Sequence, residues 1–454
     1  MMRVLLSVLC IGLTAVAARA PRQDAADPYR DTAARLIAEA QTGDAGWNRL
    51  AELTDTFGPR LSGSRNLERA IAWALAEMRK DGLDARLEPV TVPVWVRGDE
   101  RLDMLQPAEQ PITMLGLGGS IATPDAGIEA PLLIVKSFDD LKANAARARG
   151  RIVLYNVPFT TYGQTVVYRS TGASEAAKLG AVASLVRSVG PVGLRTPHTG
   201  ALNYAADVAK IPAAAIPVED AERLQRLQDR GVPIVLRLRM QARMAADAQS
   251  SNVVGEIRGR ENPDEIVLVG GHFDSWDVGT GASDDGVGCI VTWEAVRLIK
   301  KLGLQPRRTI RVVLWTNEEN GLRGATSYAE RHAGTARNHV LAFEADSGVF
   351  APASIGLSGS DAARAVMRRV MTLLAPLGLQ TLGPAGGGAD IGPIAQAGGV
   401  PTMSYNGDST RYFTIHHTPA DTIDRMSKDE VAKAVAAIAV ITYVTADMPE
   451  RLPR

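Results

Sequence analysis

The feature that most narrows the fold is the regular texture after Asn252, where short aliphatic runs alternate with helical stretches. EIVLVGGH (265–272), TIRVVLWTNEE (309–319) and HVLAFEAD (339–346) read as strands. GVGCIVTWEAVRLIKKLG (286–303) and SYAERH (327–332) read as helices between them. Strands separated by helices do not pair as tight hairpins, so this order predicts an α/β unit with a mostly parallel central sheet flanked by helices. In such sheets ligands lie at the carboxyl ends of the strands. Each of these strands runs out into polar residues.

Upstream, residues 29–40, 47–54 and 66–80 have helical periodicity, with GPRLSGS (58–64) as a glycine-punctuated loop. Asp81-Gly82 ends the third helix, and alternation over 85–96 predicts an extended strand. From about Pro111 the texture changes. PLLIVKS (131–137), RIVLYNV (151–157) and PIVLRLRM (233–240) are short strand runs. GASEAAKLGAVASLV (172–186) has helical composition, and IPAAAIPVEDAERLQRLQDRG (211–231) reads as strand-like. The expected division is one main unit in two parts, 21–110 and 251–454, the second carrying the candidate site, interrupted by an inserted α/β or β-rich module 111–250 acting as lid or packing.

The first twenty residues stand apart. Arg3 precedes an apolar run too short to span a bilayer, and Ala18-Arg19-Ala20 fits a small-x-small cleavage site. Leu9 stands where a lipoprotein signal would place a small residue before Cys10. The reading is a cleaved signal peptide (1–20), an exported protein, periplasmic or secreted, and no stable membrane anchor afterwards. Cleavage would leave Cys289 alone, a buried small hydrophobe rather than half of a disulfide. Lys plus Arg and Asp plus Glu are each 50, a balance that argues against nucleic acid or an anionic membrane as partner.

The chemistry gathers at the predicted strand ends. His272 and Asp274 follow the first strand, with Asp284-Asp285 in the loop beyond. Glu318-Glu319 close the second strand, Asp346 follows the third, and His416-His417 come after PTMSY (401–405). Any one of these has a plain structural explanation, such as a helix cap or a solvated surface. Together they bring imidazoles and several carboxylates to one edge, a donor set suited to Zn²⁺ or another first-row divalent ion. No Lys lies within the motifs, so metal ions are the natural counter-charge. Of Glu318 and Glu319, one could bind metal while the other takes a proton from water, both reaching the cleft through strand twist. Asp274 is placed to orient the His272 imidazole.

In order, HFDS, GASDDGVG, NEENGLRGA, EADSG and HHTPADT resemble the co-catalytic di-zinc exopeptidases, a family that includes bacterial leucyl aminopeptidases and glutamate carboxypeptidase. The likeness is greatest to the carboxypeptidase Q branch and covers GPRLSGS and 251–446. It implies a zinc-exopeptidase fold with an inserted protease-associated-type domain, and two Zn²⁺. Asp284 would bridge the metals, His272 and Asp346 completing one site and Glu319 and His417 the other. Glu318 would be the general base, and the Asp284–Asp285 peptide cis. His416 stands where some relatives have a Tyr, so an oxyanion or substrate-carboxylate role is expected for it.

By the same resemblance the substrates are short peptides, dipeptides foremost, and the assembly to test is a homodimer. Alternatives are an aminopeptidase on longer peptides, a single-zinc amidase, or a non-catalytic receptor-like member of the fold. GGGAD (386–390) and YNGDSTRYF (405–413) are expected to line the cleft, with Arg411 as carboxylate anchor and Tyr412 beside it.

Overall fold

A computed structural model describes residues 27–191 and 193–454. The signal peptide expected at 1–20 lies outside the described residues. Two eight-stranded sheets organise the chain.

The first sheet runs, in spatial order, Asp84–Val96, Arg243–Ile257, Arg308–Trp315, Asn262–His272, His339–Glu344, Thr402–Asn406, Ser354–Ser358 and Leu382–Gly383. Its centre is parallel, where Asn262–His272 pairs with Arg308–Trp315 and His339–Glu344, and the latter with Thr402–Asn406; the edge pair Ser354–Ser358 and Leu382–Gly383 is parallel too. Asp84–Val96, Arg243–Ile257 and Ser354–Ser358 run antiparallel to their neighbours toward the sheet's interior, so the sheet is mixed rather than purely parallel. The reason lies in the connections. The central strands are joined by helical crossovers, which impose parallel pairing, whereas the flanking strands arrive from outside the βαβ series.

Helices Val287–Lys301 and Lys428–Asp447 pack on each other and on this sheet, and both are buried along most of their length. Their apolar residues encircle the axis instead of forming a stripe, as expected for helices inside a core. A capping box of Ser427 and Glu430 starts the second. Cys289 is buried within the first, as a free thiol. No helix among the described residues is long and apolar enough to cross a membrane.

The second sheet uses residues between 100 and 240, ordered Gln110–Ile112, Glu100–Gln106, Val235–Met240, Ile128–Val135, Ile152–Tyr155, Ala183–Arg187, Ala213–Ile216 and Leu115–Gly116. Two stretches differ from the sequence reading. Residues 172–186 form a helix, Gly172–Lys178, then a strand, Ala183–Arg187, because Gly180 turns the chain at φ +81° between them. Residues 211–231 form a short strand, Ala213–Ile216, and a helix, Val218–Asp229, whose buried Val218, Ala221 and Leu224 recur every three residues. Arg243–Ile257 is one continuous strand that pairs with Asp84–Val96 and so returns the chain to the first sheet before residue 250.

His339, at the start of a central strand, shows how the core responds to acid. It is buried between the Tyr328 hydroxyl, 2.9 Å from Nε2, and the Ala336 carbonyl, 3.2 Å from Nδ1. Burial first and the Arg311 charge second hold its pKa down at about 3. An unfolded His protonates near pH ~6.5. Between these values the unfolded chain binds the extra proton, so stability falls as pH drops through this window. His339→Gln should flatten the fall by up to about 1.4 kcal/mol per pH unit. Urea midpoints between pH 7 and 5 measure it, and parallel slopes for the two proteins would rule it out.

Candidate metal centre

The chain passes from Asn262–His272 to Arg308–Trp315 on one side, then crosses to His339–Glu344 on the other. This reversal opens a crevice at the carboxyl ends of the strands, where ligands of open α/β sheets bind. His272 is the last residue of its strand and is buried. Its Nδ1 lies 3.0 Å from the Asp274 carbonyl oxygen, which assigns the proton to Nδ1 and turns Nε2 to the cleft. Nε2 stands 3.3 Å from Asp284 Oδ1 and 3.4 Å from Asp346 Oδ1.

The ring is therefore oriented by the Asp274 backbone rather than its carboxylate, which is 3.9 Å away. That carboxylate accepts hydrogen bonds from the backbone N–H of Glu318 (3.0 Å) and Glu319 (3.3 Å), and from Ser62 Oγ (3.2 Å). The two glutamates do not sit at a twisted strand end. Their strand stops at Trp315, Asn317 takes φ +65°, and the turn that follows delivers both side chains to the cleft.

Asp284 is buried in a loop whose backbone N–H groups at Ser283 and Asp284 donate to Asp421, at 2.7 and 3.1 Å. The Asp284–Asp285 peptide is cis. The Asp285 carboxylate accepts from the N–H of His272 (3.1 Å) and of Gly288 (3.2 Å), tying the strand end to the next helix. A Cβ on Gly288 would fall 1.6 Å from the Ala345 carbonyl oxygen, so only glycine lets that helix start so close.

His416 and His417 follow helix Ser409–Ile415, their rings stacked at 3.6 Å. His417 Nε2 lies 3.0 Å from Glu319 Oε2 and 3.1 Å from Asp284 Oδ2. His416 Nε2 is 3.5 Å from the same Asp284 oxygen. Arg60, from GPRLSGS, is fully buried and donates to the carbonyls of Gly58, Phe273, Thr280 and Gly281, bracing the loops beneath the site.

Two trios of donor atoms thus lie within 4.8 Å of one another, His272 with Asp284 and Asp346, and Asp284 with His416 and His417. Asp284 belongs to both. Its Oδ2 and Glu319 Oε1 are buried with no hydrogen-bond donor, although His417 Nε2 is close to the former. Acceptors converging without hydrogens between them fit a cation, and imidazole with carboxylate fits zinc.

The charges tell the same story. Burial alone would lower the pKa of His272, yet the facing Asp346 and Asp284 carboxylates lift it well above its ordinary value. Burial likewise opposes protonation of His417, which Glu319 and Asp284 lift. Burial raises Glu318 well above the carboxylate range and pushes Glu319 up to about 7, with Asp284 adding to the latter. Asp284 is drawn well below its usual range against its own burial, by His416, His272 and His417. In the second sheet's contact with this cluster, His198 is held down to about 3 by burial.

The cleft, about 320 Å³, is lined by these groups together with Tyr412, Phe413 and Ser347. Tyr412 is where the sequence reading put it. Arg411 is not, since its Nη1 pairs with Glu430 at 2.6 Å and its guanidinium lies over Phe350. One residue along a helix is a rotation of about 100°, which sends Arg411 away from the wall that Tyr412 forms. GGGAD also lies behind the cleft rather than in its wall, where a Cβ on Gly388 would strike the Glu344 carboxylate. Two lining residues that sequence reasoning missed are Tyr162 and Arg169, from the second sheet's side. They follow no motif. Asp421 was visible only as part of HHTPADT, four residues past His417.

Residues 252–442 match the model of peptidase family M28. Human carboxypeptidase Q is 48% identical over 428 residues, covering 93% of this chain and 90% of that protein. The crystal structure of a peptidase M28 precursor from Shewanella amazonensis superposes with a TM-score of 0.91 at 37% identity, covering 94% of this chain and 99% of the other. A zinc aminopeptidase from Bacillus subtilis shares the fold, with a TM-score of 0.67 at 22% identity over 90% of this chain and 96% of its own. The HFDS-to-HHTPADT order, the donor cluster it builds and these likenesses agree: the chain belongs to peptidase family M28, in its carboxypeptidase Q branch, and is a zinc-dependent exopeptidase.

Proposed function

We propose that this protein, once exported, hydrolyses the peptide bond of short peptides, dipeptides foremost, with two zinc ions and with Glu318 as general base. The observation that carries the reading is the sharing of Asp284 between two donor trios, with the Glu318 carboxylate beside them. His272 and Asp346 would hold one ion, Glu319 and His417 the other, and Asp284 both. When bound, zinc supplies Lewis acidity to the scissile carbonyl and makes water easier to deprotonate.

The chain's own part is positioning and proton transfer. The Asp274 carboxylate fixes the backbone of Glu318 and Glu319, which aims two acidic side chains differently from one turn. Glu318, with its pKa raised by burial, takes a proton from the attacking water and returns it to the leaving amine. His416 is held neutral by burial and by His417, so its imidazole can donate to the developing oxyanion without carrying a charge beforehand. The residues between the two passes through the first sheet form the protease-associated-type insertion. The carboxypeptidase name of the 48% identical relatives supports cleavage at the carboxyl end.

Purified protein, with and without chelator, on free, N-blocked and C-blocked dipeptides tests the reading. Chelator-resistant cleavage, or none with zinc restored, would sink it. Because His416 and Glu319 both approach the second site, metal content separates their roles. Glu319→Ala should bind one zinc fewer per chain by elemental analysis, while His416→Ala keeps two and loses turnover. The opposite pattern would make His416 the ligand.

A further inference from the structure

His272 and His417 are braced in different ways. His272 is held from within its own loop, its Nδ1 3.0 Å from the carbonyl oxygen of Asp274 two residues on. His417 is held from outside. Its Nδ1 lies 3.4 Å from the carbonyl oxygen of Thr199, 218 positions away, and its own carbonyl accepts from the Thr199 N–H at 3.0 Å. Thr199 stands between Ala183–Arg187 and Ala213–Ile216, two strands of the second sheet, and is fully buried. His417 has φ +61°, a conformation that non-glycine residues rarely keep without support from their surroundings.

The hydrogens decide which neighbour holds the ring. Zinc takes the lone pair of a neutral imidazole nitrogen. With Nε2 turned to Glu319 and Asp284, at 3.0 and 3.1 Å, the ring hydrogen belongs on Nδ1 and needs an acceptor. Arg169 Nη1 is also 3.4 Å from Nδ1, but a guanidinium can only donate. It donates to the same Thr199 carbonyl at 3.4 Å, whose two lone pairs serve both groups.

Thr199 is itself fixed. Its hydroxyl donates to the Gly116 carbonyl at 2.7 Å, which Arg97 Nη1 also reaches. The Arg97 guanidinium grips Asp277 with bonds of 2.6 and 2.8 Å. Asp277 follows Trp276 in the loop beyond His272. Trp276 is buried among apolar residues of the second sheet and lies edge-on to the His417 ring at 5.6 Å. A Cβ on Gly118 would lie 2.0 Å from the indole, so glycine is what admits it.

We propose that Thr199 is a positioning residue for His417, so that the second sheet's unit completes the zinc site of His417, Glu319 and Asp284. The inference rests on the two-zinc reading above. The coupling runs both ways, because an ion that binds better when Thr199 is docked also docks Thr199 more firmly. The site of His272 and Asp346 has no such dependence, since its imidazole is braced by its own loop. The second sheet's unit is then part of the metal centre as well as a wall of the cleft.

Stepwise zinc binding to metal-free wild type, Thr199→Val and Thr199→Ser, followed by calorimetry, tests the proposal. Valine keeps the shape of threonine and loses the hydroxyl that anchors it to Gly116, whereas serine keeps that hydroxyl. Thr199→Val should weaken one of the two ions about 10-fold and leave the other unchanged, and Thr199→Ser should bind like wild type. The affected ion is identified by adding Thr199→Val to single-site variants. It should weaken the ion kept by Asp346→Ala and spare the one kept by Glu319→Ala. Hydrogen exchange is the second readout, and it stands even if Thr199→Val misfolds. The Thr199 amide should exchange more slowly in zinc-loaded wild type than in metal-free protein. Both ions weakened equally, or neither, would overturn the proposal, as would an amide that exchanges alike with and without zinc. Should wild type bind only one ion, the two-zinc reading fails, and exchange of that amide with and without the ion still decides for or against Thr199.

Discussion

Replacing Glu318 with glutamine should lower kcat on a dipeptide by about 10³- to 10⁴-fold, with two zinc ions per chain still bound. Glutamine keeps the shape of the side chain and removes its ability to take a proton. The fold has no stake in that carboxylate, since the bond holding Glu318 in place runs from its backbone N–H to Asp274. The nearest imidazole atom, His272 Nε2, is 4.0 Å away, beyond hydrogen-bonding distance. Turnover is the quantity to watch, with KM nearly unchanged, because a proton moves only on the way to the transition state. Single-turnover rates and elemental analysis on one preparation check both halves. Wild-type-like turnover would exclude Glu318 as base, and missing zinc would make it a ligand.

The second large effect is expected at Asp284. Asp284→Ala should reduce bound zinc from two ions per chain to below one and bring activity down to the level of chelator-treated protein. Both donor trios use this side chain, and three imidazoles face it. Without it each site loses its shared oxygen, and the cleft loses a negative charge that offsets the two divalent cations. Asp346→Ala provides the contrast, because Asp346 belongs to one trio only and one ion should remain. Thermal unfolding of the metal-free proteins distinguishes loss of ligand from loss of fold. Two ions retained by Asp284→Ala would dispose of the shared-ligand arrangement.

The residues of the centre were legible because strand ends announce themselves. An aliphatic run that stops at a His, or just before an Asp or Glu pair, marks where a buried strand reaches the edge of its sheet. His272 and Asp346 were located in this way, and the fold brings them within 3.4 Å. For the pair Glu318-Glu319 the sequence suggests strand twist, whereas a turn at Asn317, beyond the strand's end at Trp315, presents them to the cleft. Arg411 illustrates a different failure. A short helix near the cleft holds both a residue in its wall and one pointing away, and the neighbouring Glu430 that captures Arg411 is nineteen positions further on.

Strand and helix periodicity, the glycine-marked loops and the spacing of acidic and imidazole side chains were properties of the sequence alone, because each depends on which face of a local element must leave water. The antiparallel flanks of the first sheet and the meeting of Arg169 with His417, 248 residues apart, were decided only in three dimensions. The first depends on where the connections deliver the flanking strands, and the second on a helix of the second sheet's unit reaching the cleft of the first. No local pattern encodes either.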